Sequence, residues 1–149
     1  MSVLKISNFS GEYDFLSNFY WFDGHTIEHD YQAAKTLNPN EREHILSSGT
    51  PGVAKRRGSR ATLRFDWEEV KEQFMLSLLR RKFHYAELRK KLLDTGEAEL
   101  VEGNNWHDNY WGSCTCPRCS NIPKRNRLGH LLMQVRSELR LEEGSGSGT

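Results

Sequence analysis

The segment HTIEHDYQAAK, His25 to Lys35, holds a carboxylate, an amide and an amine at i, i+4 and i+7. On a helix, Glu28, Gln32 and Lys35 then share one face about two turns long. The ordinary reading of such a row is a solvated face or a self-satisfied ion pair, because exposed charges are the norm. The chemical reading is an acid/base carboxylate beside a nucleophilic amine. A lysine is nucleophilic at neutral pH only when burial or a neighbouring cation lowers its pKa. Ala33 and Ala34 are small enough to let another element pack close to this row.

Four other clusters have chemistry to offer. In FLSNFYWF, Phe15 to Phe22, five of eight residues are aromatic. These rings suit a core, or a stacking pocket for a planar base in which Asn18 supplies paired hydrogen bonds. NNWHDNYWG, Asn104 to Gly112, is too polar for a pure core segment. Asp108 is a candidate acid or sugar-orienting group there, and His107 a base, a ligand or a surface residue. All three cysteines, Cys114, Cys116 and Cys119, fall within CTCPRC. C-x-C-x-x-C is compact enough for a soft metal, and zinc takes four ligands. The fourth would be His107, His130, His25 or water; the alternative is three reduced thiols without metal. A structural zinc would order a long loop without being the catalytic group, while a redox reading of C-x-x-C lacks a surrounding βαβ pattern. Finally, AKRRGSR (Ala54–Arg60) and PKRNR (Pro123–Arg127) are basic. Separately they are solvated faces; converging, they form an anion site that the last helix's N-terminus would assist.

The elements that must position these groups follow from local signals. Asp23-Gly24 between aromatic and β-prone residues predicts a hairpin turn. A helix is expected from Ile27 to Leu37, then one from Pro39, at N1 after Asn38, running to Gly49. Thr50-Pro51 starts another that ends at Gly58. Asp66, with Glu69 three residues on, resembles a capping box opening a helix to about Phe83, with Trp67, Val70, Phe74, Leu78 and Leu79 on its apolar face. AELRKKLLDTG is helical up to Gly96, and VLKIS and AELVEG suit short strands. A long irregular loop over 104–125 precedes a last helix capped by Asn126, whose apolar face is Leu128, Leu131, Leu132, Val135 and Leu139. The expectation is one mainly helical α+β domain over 1–141 with a small antiparallel sheet, followed by a flexible linker-like tail over 142–149.

Lys plus Arg number 21 and Asp plus Glu 20 among 149 residues, a formal net charge of +1. Bulk charge therefore implies no nucleic-acid or membrane partner, though a local basic patch remains open. No apolar run approaches the roughly 20 residues of a membrane span, and MSVLKISNFS lacks an apolar signal-peptide core. A cytoplasmic location with reduced thiols is the expectation, with no stable protein partner implied.

The ordered blocks FLSNFY, EHDYQAAK, DWEEVKEQFMLSLLRRKF, LLDTGEAELVEGNNWHDNYWG and NRLGHLLMQVR cover about Phe9 to Leu139. Together they resemble the NADAR superfamily, which includes the YbiA-type N-glycosidases. The resemblance implies cleavage of N-glycosidic bonds on ribosyl phosphates. One branch removes ADP-ribose from guanine bases, undoing DarT-type toxins; another acts on riboflavin biosynthesis intermediates. The Cys-rich loop and short chain look like phage-type members of the first branch, in which the activity counters host defence in the host cytoplasm. Glu28 matches the family's catalytic glutamate, and Lys35 a lysine proposed to form a Schiff base with the sugar. Trp67 and Asp108 match other functional positions, and Asn18, Trp111, Gly112 and Asn126 also fall on family motif positions. Many members read G-x-N-x-L-G before the last helix, where this chain reads KRNRLG, so Lys124 stands at a usual glycine.

The combined expectation is a pocket in which Glu28 is the acid/base group, Lys35 the nucleophile and Asp108 a sugar-orienting group. The aromatics around Asn18, with Trp67 or Trp111, would sandwich the base, and Phe19, Tyr31 and Gln32 would also line the substrate site. Lys55, Arg56 and Lys124 would meet phosphates. The substrate is ADP-ribosylated DNA or a nucleotide, with no cofactor required for catalysis and a structural zinc on Cys114, Cys116, Cys119 and His107. The rivals are a hydrolase of ribosylaminopyrimidine phosphates, a zinc-stabilised nucleic-acid-binding module without catalysis, and an ADP-ribose-binding sensor without turnover.

Overall fold

The computed structural model describes residues 4–147, with side chains up to Gly144. In chain order its elements are β1 (Lys5–Ile6), a 3-10 turn (Gly11–Leu16), α1 (Ile27–Ala34), α2 (Pro39–Leu46), α3 (Pro51–Ser59), α4 (Trp67–Lys82), α5 (Ala86–Asp94), β2 (Glu99–Leu100), β3 (Gly103–Asn104), β4 (Ser113–Cys114), a second 3-10 turn (Pro117–Cys119) and α6 (Arg127–Ser147). The class is α+β. The chain forms two compact units, one over 18–82 and one assembled from 1–17 and 83–149.

In the 18–82 unit, α1 is the hub and packs against α2, α3 and α4. Three of its helix starts follow from local chemistry. Thr26 accepts the His29 N–H at 3.2 Å to cap α1. Asn38 accepts the Asn40 and Glu41 N–H groups ahead of α2, and Thr50 the Val53 N–H ahead of α3; in both, proline occupies the first turn as expected. The Asp23-Gly24 turn also forms: Phe22 and His25 pair, and both turn residues have positive φ, 51° and 81°. Ala33, Ile45 and Ala54 make the small core between α1, α2 and α3. Gly58 of α3 lies so close to Gln32 that a Cβ there would fall 2.0 Å from Gln32 Oε1.

Asp66 is a correction. Its carboxylate binds Arg64 (2.6 and 3.2 Å) and does not form a capping box. The Glu69 N–H bonds the Asp66 backbone carbonyl (3.0 Å) instead. A charge-assisted two-point contact outcompetes a neutral backbone donor.

In the other unit, the buried residues of α6 (Leu128, Leu131, Leu132, Val135, Leu139) match the expected apolar face, and α6 packs on α5 and β2. The sheets differ from expectation. β1 pairs with β2 and β3 with β4, both parallel and two residues long, where an antiparallel sheet was expected. β1 and β2 lie more than ninety residues apart in sequence, and no local turn signal sets the direction of such a pair. Val3, the first residue of the first expected strand, lies outside the described residues. α6 continues through 142–147, a stretch read from the sequence as flexible tail. Glu142 and Glu143 pair with Arg89 of α5 (3.4 and 2.9 Å), and each added residue of a formed helix needs only one further hydrogen bond. Residues 148–149 lie outside the described part. No described helix is long and apolar enough to cross a membrane.

Candidate active site

Glu28, Gln32 and Lys35 lie on α1 and at its C-terminal end. Glu28 and Gln32 are buried, 7% and 3% exposed, so the row is not a solvated face. The Gln32 Nε2 donates to Glu28 Oε1 at 2.7 Å, which orients the carboxylate. The Glu28 N–H donates to the Asn18 carbonyl (3.0 Å), tying the aromatic segment to the start of α1. Lys35 is half-buried, and its ammonium lies 5.7 Å from the Tyr31 ring centroid. Burial pushes the Lys35 amine below its ordinary pKa; Glu28 opposes that shift, and Lys55 and Lys71 add to it. An amine held this way has a larger neutral, nucleophilic fraction near neutral pH than a surface lysine. Two buried acceptors, Asn18 Oδ1 and Gln32 Oε1, have no hydrogen-bond partner among the described residues. Native interiors leave few such atoms open.

The aromatic groups divide. Trp67 is buried, packing on Tyr31 (5.1 Å, tilted) and on Phe74 (6.1 Å, stacked). It backs Tyr31 as part of the interior of this unit. Phe19 and Trp21 are exposed, 42% and 48%. Lys55 and Arg56 are exposed on α3. Reading the sequence missed two groups here. Lys71 sits in a run of alternating charge on α4, where nothing local marks it. Gly58 was read only as a helix stop.

Asp108, Trp111, Gly112, Asn126, Lys124, His107 and the cysteines belong to the other unit. Asp108 Oδ1 accepts the N–H groups of Tyr110 and Trp111 (3.1 and 2.9 Å), so one carboxylate oxygen closes the turn that carries Trp111. Asn104, to which the sequence reading gave no role, organises this loop. It donates to the Asp108 carbonyl (2.9 Å) and accepts from the Trp106 and Asp108 N–H groups (both 3.2 Å). Gly112 is buried where a Cβ would stand 1.7 Å from Glu102 Oε2, so close packing requires the glycine. Asn126 differs from expectation. Its side chain does not cap α6 but bridges to the β2 region, donating to the Leu100 carbonyl (2.9 Å) and accepting the Glu102 N–H (3.0 Å). Its positive φ of 46° turns the chain into the helix, a conformation asparagine tolerates. The first two N–H groups of α6 are likewise engaged: Arg127 bonds the Tyr110 carbonyl and Leu128 that of Trp111. They are therefore not available for the phosphate contact expected at this helix start. The Lys124 ammonium donates to the Cys119 carbonyl.

His107 and the three cysteines form a group able to hold a metal, with their ligand atoms all within 4.8 Å of one another. His107 Nδ1 lies 3.3 Å from both Cys116 Sγ and Cys119 Sγ, and 3.9 Å from Cys114 Sγ. His25 belongs to the other unit, and His130 is outside the group. Burial pushes the Cys114 thiol up, but hydrogen bonds from the Cys116 and His107 backbone and from the other two thiols outweigh it and bring it to about 6.

The chain as a whole is similar to known proteins. The N-glycosidase YbiA of Shigella boydii serotype 4 is 41% identical over 152 residues, 95% of this chain and 91% of the relative. The NMR structure of the E. coli protein YbiA superposes with a TM-score of 0.78 at 40% identity, covering 95% of this chain and 87% of that one. A riboflavin biosynthesis protein of Vibrio vulnificus is 33% identical over 138 residues, 84% of this chain but 35% of the relative. The fold and the relatives define an enzyme of the N-glycosidase class, which hydrolyses N-glycosidic bonds. Residues 7–140 match the NADAR domain, and the chain belongs to that family.

Proposed function

We propose that this enzyme removes ADP-ribose from guanine bases in nucleic acid, reversing DarT-type modification. In a phage setting this would counter a host defence. The observation that carries the reading is the half-buried Lys35 amine, lowered in pKa, on the same helix face as the buried, amide-oriented Glu28 carboxylate. Glu28 hands a proton to the sugar or the leaving base. The neutral Lys35 amine adds to C1 of the ring-opened ribose. The C1–N bond to the base breaks, its electron pair leaves with the base, and the base takes up a proton. Water then hydrolyses the lysine imine, releasing the sugar and returning the amine. The cations Lys55 and Lys71, near enough to depress Lys35, support a substrate that carries phosphates. Asn18 Oδ1, buried without a donor among the described residues, supports a ligand N–H or O–H as its partner.

A second reading, hydrolysis of a ribosylaminopyrimidine phosphate, is favoured by the riboflavin biosynthesis protein among the relatives. DNA carrying ADP-ribosyl-guanine, incubated with the parent and with Lys35→Ala and Glu28→Ala variants, separates the two. Mass spectrometry is expected to find free ADP-ribose and restored guanine with the parent alone. No release by folded parent would remove the DNA assignment and leave the small ribosyl phosphates. Borohydride trapping of a sugar adduct on Lys35 checks the imine; release undiminished in Lys35→Ala would remove that nucleophile.

A further inference from the structure

One imidazole nitrogen has a single in-plane position, which either donates one hydrogen or accepts one. His107 Nδ1 nevertheless has three sulfurs around it at 3.3, 3.3 and 3.9 Å. Three hydrogen bonds to one such nitrogen are not possible, so hydrogen bonding does not explain the cluster. A central ion does. Zinc bonds of about 2.3 Å to sulfur and about 2.0 Å to nitrogen, at tetrahedral angles, place nitrogen and sulfur about 3.5 Å apart. The observed spacings straddle that value.

We propose that Cys114, Cys116, Cys119 and His107 bind one Zn²⁺ in a closed, four-ligand structural site, and that this site clamps the Asp108–Trp111 turn. Three thiolates and one imidazole select zinc over hard cations, and four protein ligands leave no open position for chemistry. On binding, the thiols release their protons and Zn²⁺ takes their place, leaving a complex with one net negative charge. The Lys124 ammonium, held at the Cys119 carbonyl, lies where it offsets that charge. The residue at the usual glycine position thus belongs with the metal loop.

The clamp role follows from the connections of the ligands. His107 has a positive φ of 70°, costly for a histidine unless something holds it. The next residue, Asp108, closes the turn. The Cys114 N–H donates to Asn109 Oδ1 at 2.9 Å, so ligands bracket that turn from both ends. The regular structure nearby is slight, two-residue strands and a three-residue 3-10 turn.

The full-length protein, purified under reducing conditions, is expected to carry about one equivalent of zinc by elemental analysis. Replacement by Co²⁺ should give the visible bands of a tetrahedral thiolate site. Cys116→Ser and Cys119→Ser should each lose the metal. Where such a variant fails to fold, chelator titration of the parent followed by amide NMR replaces it. Resonances of 104–119 should shift or broaden on chelation while those of α1 stay in place. Less than about a tenth of an equivalent, with no cobalt bands in reduced protein offered the ion, would overturn the site. Metal that leaves without moving the 104–119 resonances would overturn the clamp.

Discussion

The Glu28–Gln32–Lys35 row and the His107–cysteine cluster both bring polar groups together, and they do so in opposite ways. The row sits on one regular helix and keeps its members incompletely satisfied. Lys35 is depressed by burial and by Lys55 and Lys71, and Gln32 Oε1 has no partner among the described residues. The cluster sits on irregular chain and converges on a single point, with ligand atoms within 4.8 Å of one another. A group kept from satisfaction is available to a substrate; a group closed on a common centre orders the chain around it. The comparison separates burial that leaves an electrostatic demand unmet from convergence that closes several groups on one point.

The strongest way to break this contrast is to remove the proposed nucleophile and the proposed acid/base group. Lys35→Ala and Glu28→Gln should each lower kcat by about 10²–10⁴-fold, the usual worth of a positioned acid/base or nucleophile. Thermal unfolding should stay close to the parent's. An equal loss of activity and stability would make the row structural. A smaller effect is expected at the wall behind it. Gly58→Val puts a side chain where Gln32 Oε1 now lies, and such overpacking costs about 1–3 kcal/mol. Urea unfolding measures that cost, and activity should fall with it as Gln32 is pushed off Glu28.

On the other side of the comparison, Asp108→Ala deletes the acceptor of the Tyr110 and Trp111 N–H groups. Loss of such a cap-like contact costs about 1 kcal/mol, read as a lower denaturant midpoint. Faster amide exchange at Tyr110 and Trp111 would localise the change. The smallest expected effect sharpens the contrast by pH. The folded state holds the Lys35 pKa below its unfolded value. Lys35 therefore opposes folding fully below the folded pKa, and the penalty fades as pH rises towards the unfolded value. Lys35→Met should be slightly more stable than the parent at neutral pH, by an amount that shrinks towards alkaline pH. A gain that is constant across this range would mean that relieved packing, not charge, is responsible.

What could be read ahead of the structure was whatever a few consecutive residues settle among themselves. Asn38-Pro39 and Thr50-Pro51 cap and start helices because the partner N–H groups are two or three residues on. Asp23-Gly24 turns the chain because both residues reach positive φ. Helical periodicity alone put Glu28, Gln32 and Lys35 on one face. The same reading failed wherever a side chain had a distant choice. Asp66 preferred Arg64 to its own helix, and Asn126 preferred Leu100 and Glu102 to the helix it precedes. Gly58 and Lys71 gained their meaning from α1, and no local pattern announces either.

The sequence by itself determined the ingredients: the helices and the starts of α2 and α3, the ordered motifs of the NADAR family, and a thiol trio fit for a soft metal. Only the tertiary structure decided their states. It buried Glu28 and depressed Lys35, chose His107 over His130 and His25 beside the cysteines, and made both strand pairs parallel. The physical reason is range. Caps, turns and helical faces depend on neighbours within about one helical turn, whereas desolvation, charge coupling and ligand convergence depend on residues the chain brings together from far apart.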